Sequence, residues 1–378
     1  MKTLFKTAFI LTAIALIHSC APKAPANKAG IDPQAFNKVI DGKQVSLVTL
    51  TNKNGLEMTV TNYGAKVVSL MVPDKNGEMA DIVLGFNNID DYQKFKPYFG
   101  AAIGRYGNRI ANGEFTLNGE VYHLAKNDGN NHLHGGIKGF NAVVWDMKKV
   151  DDHTVKFTYV SKDGEEGYPG ELTVHMTYQL TDDNEFKINY EATTDKPTVL
   201  NLTHHSYFNL HGEGTETIND LVLYINADNF TPTDSGLIPT GEIIPVAGTP
   251  MDFTTPTEIG QRIDADYEPL ILGHGYDHNY VLNQEEPKTM VLAATVYDPA
   301  SGRYMEVHTD EPAIQFYGGN FLDGTVVGKS GIAYPYRSAL CLETQHYPDS
   351  PNKPNFPSTV LNPGETYTHT CIYKFDVK

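Results

Sequence analysis

"LTVHMTYQLTDDNEFKINYEA", residues 172–192, decides the fold. Leu172, Val174, Met176, Tyr178 and Leu180 occupy every second position, as do Phe186, Ile188, Tyr190 and Ala192, and turn-forming Asp182-Asp183-Asn184 lies between the runs. Successive side chains of a strand point to opposite faces, so each run offers one apolar face to a core and one mixed face to water. The stretch reads as two neighbouring antiparallel strands.

Working outward, Thr154 to Val160 (TVKFTYV) is another run of strand length, set off by the turn signals Asp163-Gly164 and Pro169-Gly170. Asn54-Gly55 and Asn118-Gly119 supply further hairpin turns, the second between FTL and EVYHL. Long stretches with a helical repeat are hard to find, and no propeller or solenoid spacing recurs. The expectation is an all-β protein, a large antiparallel β-sandwich forming one domain over residues 36–378.

The N-terminus reads differently. MKTLFKTAFILTAIALIHSC has Lys2 and Lys6, an apolar run from Ala8 to Ile17, and Ser19 before Cys20. The run is short for a membrane span, so residues 1–19 read as an export signal. Ile17-His18-Ser19-Cys20 resembles a bacterial lipobox, although His18 is atypical there, and makes Cys20 the expected lipid-carrying first residue. Residues 20–35, rich in alanine, proline and glycine, read as a flexible tether. Together these imply an exported lipoprotein, anchored at a membrane and facing the periplasm.

The formal net charge is −17, and removal of the leader's two lysines would make it more negative. Such a chain repels the phosphate backbone of nucleic acids. Cys341 and Cys371 are the other two cysteines; they lie on separate strand-like segments, as a bridge or as buried free thiols, and no C-x-x-C spacing suggests zinc.

"NLTHHSYFNLHG", residues 201–212, places two histidines side by side. On a regular strand they face opposite ways: Leu202, His204, Ser206, Phe208 and Leu210 on one side, Thr203, His205, Tyr207 and Asn209 on the other. Four more segments are too polar for a sandwich core. They are GRYGNRIANGEF (104–115), NDGNNHLHGG (127–136), HGYDHNYVL (274–282) and ALCLETQHYPDSPNKPNFPS (339–358), with EPAIQFYGGNFLDG (311–324) leading into the last. Each mixes glycine, which permits close backbone approach, with groups that hydrogen-bond to hydroxyls. Sugars carry such hydroxyls in number. Singly, each segment also fits a surface ion pair, a turn cap or a solvated strand residue.

In this order, the segments resemble those of the aldose 1-epimerases, or galactose mutarotases, and the similarity runs from NYGAKVVSL (62–70) to LNPGETYTHTCIYKF (361–375). The resemblance implies a mutarotase-like β-sandwich with a sugar cleft on one broad face. It places Asn108, Arg109, His134, Asp277 and Gln315 as groups that hold the substrate, His205 as the acid and Glu343 as the base. Gly107 and Gly318 depart from the alanine and threonine common in the family, without removing a reacting group.

Exchanging α and β anomers requires opening the ring, turning about C1–C2 and reclosing on the other face. A base takes the C1 hydroxyl proton while an acid protonates the ring oxygen, and the roles then reverse. No cofactor or metal is expected. His205 has to enter the cycle protonated, which an acidic cleft with Asp277 and Glu343 would favour, while His134 and Arg109 would support charge developing on the ring oxygen. His204, facing away, has a packing role.

Other chemistries draw on the same residues. His132 and His134 form H-x-H, but Lys138 and Gly139 stand where a cupin-like metal site needs a glutamate. Asp277 and Glu343 could serve a glycosidase as its two carboxylates. A non-catalytic sugar-binding lipoprotein would need the hydroxyl ligands but neither His205 nor Glu343. A phosphosugar epimerase would call for a basic cluster that is absent from the sequence. The preferred aldose and the oligomeric state are not encoded in these motifs.

Overall fold

The computed structural model describes residues 27–95 and 98–378. The leader, Cys20 and the first part of the tether lie outside the described residues. Asn27 already belongs to the fold. Its side chain bonds both the N–H and the C=O of Ile31 at 2.8 Å, and Ile31 and Phe36 are buried against Tyr63 and Tyr92.

The period-two stretch forms the strands Leu172–Leu180 and Glu185–Thr194, paired antiparallel so that Val174 faces Ala192, Met176 faces Tyr190 and Tyr178 faces Ile188. Every apolar member of these pairs is buried, while His175 and Glu191 on the other face are exposed. Cross-strand apolar pairs of this kind fix the register, since a slip by one residue would turn the whole set to solvent. The strands lie within a nine-stranded sheet running Asp146–Lys149, Thr154–Ser161, Leu172–Leu180, Glu185–Thr194, Tyr367–Val377, Arg303–Thr309, Val291–Tyr297, Val222–Ile225, Thr257–Glu258. All its pairings are antiparallel.

A five-stranded sheet packs onto the same core. Its order is Ile244–Pro245, Asn229–Thr231, Asp277–Val281, Ala313–Tyr317, Cys341–Gln345. The last two strands are buried along their whole length, so both faces are covered. One face sends Tyr280, Ile314, Phe316 and Leu342 into the main core beside Met176, Tyr178 and Phe186. By strand parity the other carries Asp277, Asn279, Gln315, Tyr317, Cys341, Glu343 and Gln345. This second face is the floor of the site. A four-stranded sheet, Leu47–Thr51, Glu57–Thr61, Lys66–Pro73 and Met79–Asp81, adds Leu50, Met58, Val60, Val67 and Leu70 to the core.

Turn chemistry follows the sequence closely. Glu114–Leu117 and Glu120–His123 form a hairpin about Asn118 and Gly119, whose φ angles of +52° and +83° suit a two-residue turn that only such residues adopt cheaply. Among the described residues, Ile89–Phe95 and Glu268–Leu272 are α-helical, and no helix is long and apolar enough to cross a membrane.

Candidate active site

The site begins with a strand only three residues long. Thr203–His205 pairs with Ala101–Ile103, and its pleat separates the two histidines. His204 turns into the core: its Nδ1 donates to the Tyr178 hydroxyl at 3.3 Å, its Nε2 accepts from Ser206 at 2.7 Å, and its ring packs edge-on against Tyr178 and Phe186. His205 turns the opposite way, onto the five-stranded sheet. There its Nε2 lies 3.5 Å from Glu343 Oε1, both groups being buried.

Two glycine-rich segments roof this floor. Arg109–Ile110 pairs with His132–Leu133, and the residues flanking the pair clamp each other: the His134 N–H donates to Asn108 O at 3.0 Å, and the Asn108 N–H donates to His134 Nδ1 at 3.1 Å. Asn108 and His134 both sit at positive φ, +63° and +52°. Gly135 is obligatory, because a Cβ there would fall 1.9 Å from Gly104 O. At Gly107 a Cβ would meet Thr203 Cγ2 at 2.9 Å, so the methyl group common at that position in the family would crowd Thr203 here. Arg109 Nε donates to Asp128 at 2.8 Å and its Nη1 lies 3.7 Å from Asp277 Oδ2.

Between floor and roof is a cavity of about 730 Å³, lined by Asn108, Arg109, His134, His205, Asp277 and Glu343 together with Tyr98, Tyr207 and Tyr317. Gln315 stands behind Asp277 instead of on the cavity wall; its Nε2 donates to Asp277 Oδ1 at 2.8 Å. Tyr207 and Asp128 fall within the polar segments of the sequence but carry no assigned role there, and Tyr98 falls outside all of them. The Tyr98 and Tyr207 rings lie nearly parallel to His205, with centroids 5.6 and 5.0 Å away. Strand parity signals Tyr207, two residues after His205; Tyr98 has no comparable mark in the sequence. Cys341 and Cys371 are buried free thiols.

Burial governs the protonation of the pair. It depresses His205 to about 3, opposed by a hydrogen bond to the residue's own backbone and aided by the Lys66 amine, and it pushes Glu343 well above the usual carboxylate range, with Asp277 reinforcing and Arg109 opposing. Removal from water disfavours whichever form is charged. The expectation that an acidic cleft keeps His205 protonated is therefore corrected. The two shifts together leave the pair with one proton, on the carboxyl side. Burial also raises Asp277, against the Arg109 charge and the Gln315 hydrogen bond.

Three donors, on His134, His205 and Glu343, come within 4.8 Å of one another. The hydrogen bonding of His134 opposes a metal. A ring whose Nδ1 accepts from a backbone N–H carries its own proton on Nε2, the nitrogen left to face the cavity, and a protonated nitrogen has no lone pair for an ion. His132 is committed elsewhere, with Nδ1 donating to Ala125 O at 2.7 Å and Nε2 accepting from Tyr168 at 2.6 Å. What the arrangement offers instead is a neutral N–H donor, a cation, an acceptor carboxylate, and an acid–base pair able to exchange one proton.

A sequence model of the Aldose 1-epimerase family matches residues 46–374. The chain is 47% identical to a galactose mutarotase of Homo sapiens over 322 residues, 85% of this chain and 92% of that protein. It is 39% identical to an aldose 1-epimerase of Escherichia coli K12 over 337 residues, 89% and 96% of the two chains. The crystal structure of an aldose epimerase homologue from C. elegans superposes with a TM-score of 0.81 at 32% identity, covering 88% of this chain and 99% of the other. That of a galactose 1-epimerase from Lactobacillus acidophilus gives 0.79 at 30% identity, covering 90% and 97%.

Proposed function

The chain belongs to the aldose 1-epimerase family and interconverts the α and β anomers of aldoses, and we propose that it does so by passing protons between the substrate, Glu343 and His205. The observation that carries this reading is the 3.5 Å separation of His205 Nε2 and Glu343 Oε1 within the cavity. The two oxygens that exchange protons, the C1 hydroxyl and the ring oxygen, are both bonded to C1. An acid and a base a few ångströms apart can reach both of them.

With substrate bound, the pair's one proton passes from Glu343 to His205 Nε2, and ring opening starts from the Glu343 carboxylate and the His205 imidazolium. Glu343 takes the C1 hydroxyl proton, the C1–ring oxygen bond breaks as the aldehyde forms, and His205 protonates the departing oxygen. The pair then stands as carboxylic acid and neutral imidazole, the distribution that burial favours. Rotation about C1–C2 presents the other aldehyde face. In closing, Glu343 returns its proton to the aldehyde oxygen while His205 removes one from the attacking hydroxyl. One proton thus cycles within the pair, with no exchange with bulk water required in a turnover.

The His134 N–H and the Arg109 guanidinium are assigned to the ring oxygen and its neighbours, where negative charge grows as the bond breaks. Asn108 and Asp277 are assigned to hydroxyls remote from C1, with Gln315 holding Asp277. The test is proton NMR or polarimetry on freshly dissolved α-aldoses with the wild type and Glu343→Gln. Acceleration over spontaneous exchange, lost in the folded variant, is the expected result; equal rates from both proteins would overturn the assignment.

We also propose that the protein is exported and lipidated on Cys20, a reading supported by Lys2, Lys6, the apolar run and Ser19-Cys20. It would then act on sugars outside the cytoplasm. Expression of the full chain and of Cys20→Ser in a bacterial host, followed by membrane fractionation, tests this: the wild type should sediment with membranes and the variant should not.

A further inference from the structure

Cys341 and Glu343 are two residues apart on one strand, so the pleat projects both side chains from the same face, roughly 7 Å apart along it. That spacing spans an imidazole. His205 lies across it, with Nδ1 3.4 Å from Cys341 Sγ and Nε2 3.5 Å from Glu343 Oε1. We propose that Cys341 is a positioning residue for the epimerase reaction, gripping His205 through Nδ1 and keeping Nε2 as the nitrogen that exchanges protons. The proposal rests on the acid role given above to His205.

A thiol suits this place because its sulfur can accept from Nδ1–H in both states of the ring. Once Nε2 has given its proton to the sugar ring oxygen, the neutral imidazole keeps its remaining proton on Nδ1, which donates to the Cys341 sulfur, and the Nε2 lone pair faces the substrate and Glu343. When the ring is an imidazolium, the same Nδ1–H bond to sulfur persists, with the thiol hydrogen rotated aside, and Nε2–H is the proton to be delivered. A carboxylate in this place would hold the ring as a cation. The uncharged sulfur orients the ring without fixing its charge, which an acid–base group that must alternate within each turnover requires. Burial raises the Cys341 thiol well above its ordinary range, so it remains protonated. The grip is completed by the rings of Tyr98 and Tyr207, which restrain tilt but offer Nδ1 no hydrogen bond.

The experiment compares Cys341→Ala and Cys341→Ser with the wild type, each checked for an unchanged melting transition. Anomer exchange by NMR gives kcat and KM, and ¹⁵N shifts of the His205 ring give its tautomer. Cys341→Ala should lose roughly tenfold in kcat with little change in KM, in the range seen when a partner that orients a working histidine is removed. Its ring should show mixed tautomers. Serine, whose hydroxyl oxygen also accepts from Nδ1–H, should restore most of the rate and the Nδ1–H signature. Wild-type kcat in Cys341→Ala would overturn the proposal, as would equal losses in both variants with no tautomer change. Retained activity in His205→Ala would instead overturn the reading beneath it.

Discussion

The Asn108 N–H donates to His134 Nδ1 at 3.1 Å while the His134 N–H returns a bond to Asn108 O. This reciprocal clamp assigns the imidazole proton to Nε2. His134 is also held neutral, well below its ordinary range, by burial and then by His205 and Arg109. It is thus a donor that neither ionises nor binds metal. His134→Phe, which keeps a planar ring and removes the donor, should lower kcat about 10²-fold, the usual cost of losing one donor to a developing oxyanion. Chelators should leave the wild-type rate unchanged. Measured kcat within threefold of wild type in the folded variant would contradict the assignment.

The shared proton predicts an unusual pH profile. The pair is competent while it holds one proton: acid adds a second to His205, whose pKa is depressed to about 3, and base removes the last from Glu343, which burial pushes well up. Both shifts widen the window. kcat/KM should stay flat from near pH 4 into the range above the ordinary carboxylate value, where an unperturbed glutamate and histidine would give a narrow peak between ~4.3 and ~6.5. A tenfold fall per pH unit between pH 5 and 6 would count against it.

The two neighbouring histidines should fail in different ways. His205→Ala should lose 10²–10⁴-fold in turnover, the range for a general acid–base group, with a near-normal melting temperature. His204→Ala should leave a cavity among Tyr178, Phe186 and Tyr373 and strand Ser206, costing about 2–4 kcal/mol of stability while the protein that remains folded keeps most of its activity. Thermal melts and single-turnover rates on both variants separate the two outcomes.

Alternation made this split, and much of the architecture, legible in advance. Period two in residues 172–192 gives the strands, their buried faces and their register, because the pleat is local geometry. The same parity separates His204 from His205 and aligns Cys341 with Glu343. What the sequence leaves dark depends on what packs over each group. Nothing near Tyr98 announces a ring parallel to His205, because a loop brings it there. Gln315 sits behind Asp277, a matter of depth that no motif encodes. The protonation of His205 went against expectation because carboxylates can be counted in a sequence whereas loss of water cannot, and here the latter dominates.

Away from the site, His211 is clamped between two carboxylates, with Nδ1 3.1 Å from Asp298 and Nε2 2.9 Å from Asp220. The hydrogen bond to Asp298 is the main cause that raises His211 to about 9. A histidine whose folded pKa lies above its unfolded value of about 6.5 stabilises the fold fully below that value, and the contribution fades as pH rises through about 9. The interaction should be worth on the order of 2–3 kcal/mol at pH 6, counted once although Asp298 is shifted downward by the same contact. His211→Asn should therefore melt several degrees lower at pH 6 and nearly with the wild type at pH 10. A difference independent of pH would mean that packing alone accounts for it.

Lys66 presents the opposite sign. It is buried, donates to Asn141 O at 2.6 Å, and lies over the rings of Tyr63 and Tyr92 at 5.5 and 5.8 Å with no carboxylate paired to it among the described residues. Burial lowers its pKa to about 7. Since the unfolded lysine holds its proton up to about 10.4, the unfolded chain binds more protons between the two values, and stability rises with pH across that window. Below pH 7 the full cost of a buried ammonium is present, only partly offset by the carbonyl and the two rings. Lys66→Met keeps most of the volume and removes the charge, so it should stabilise the protein by about 1–3 kcal/mol at pH 6, with the advantage shrinking as pH rises toward 10. Denaturant midpoints of both proteins at pH 6 and pH 9.5 measure this directly. A variant less stable than the wild type by the same amount at both values would show that the Asn141 contact and the aromatic rings outweigh the charge.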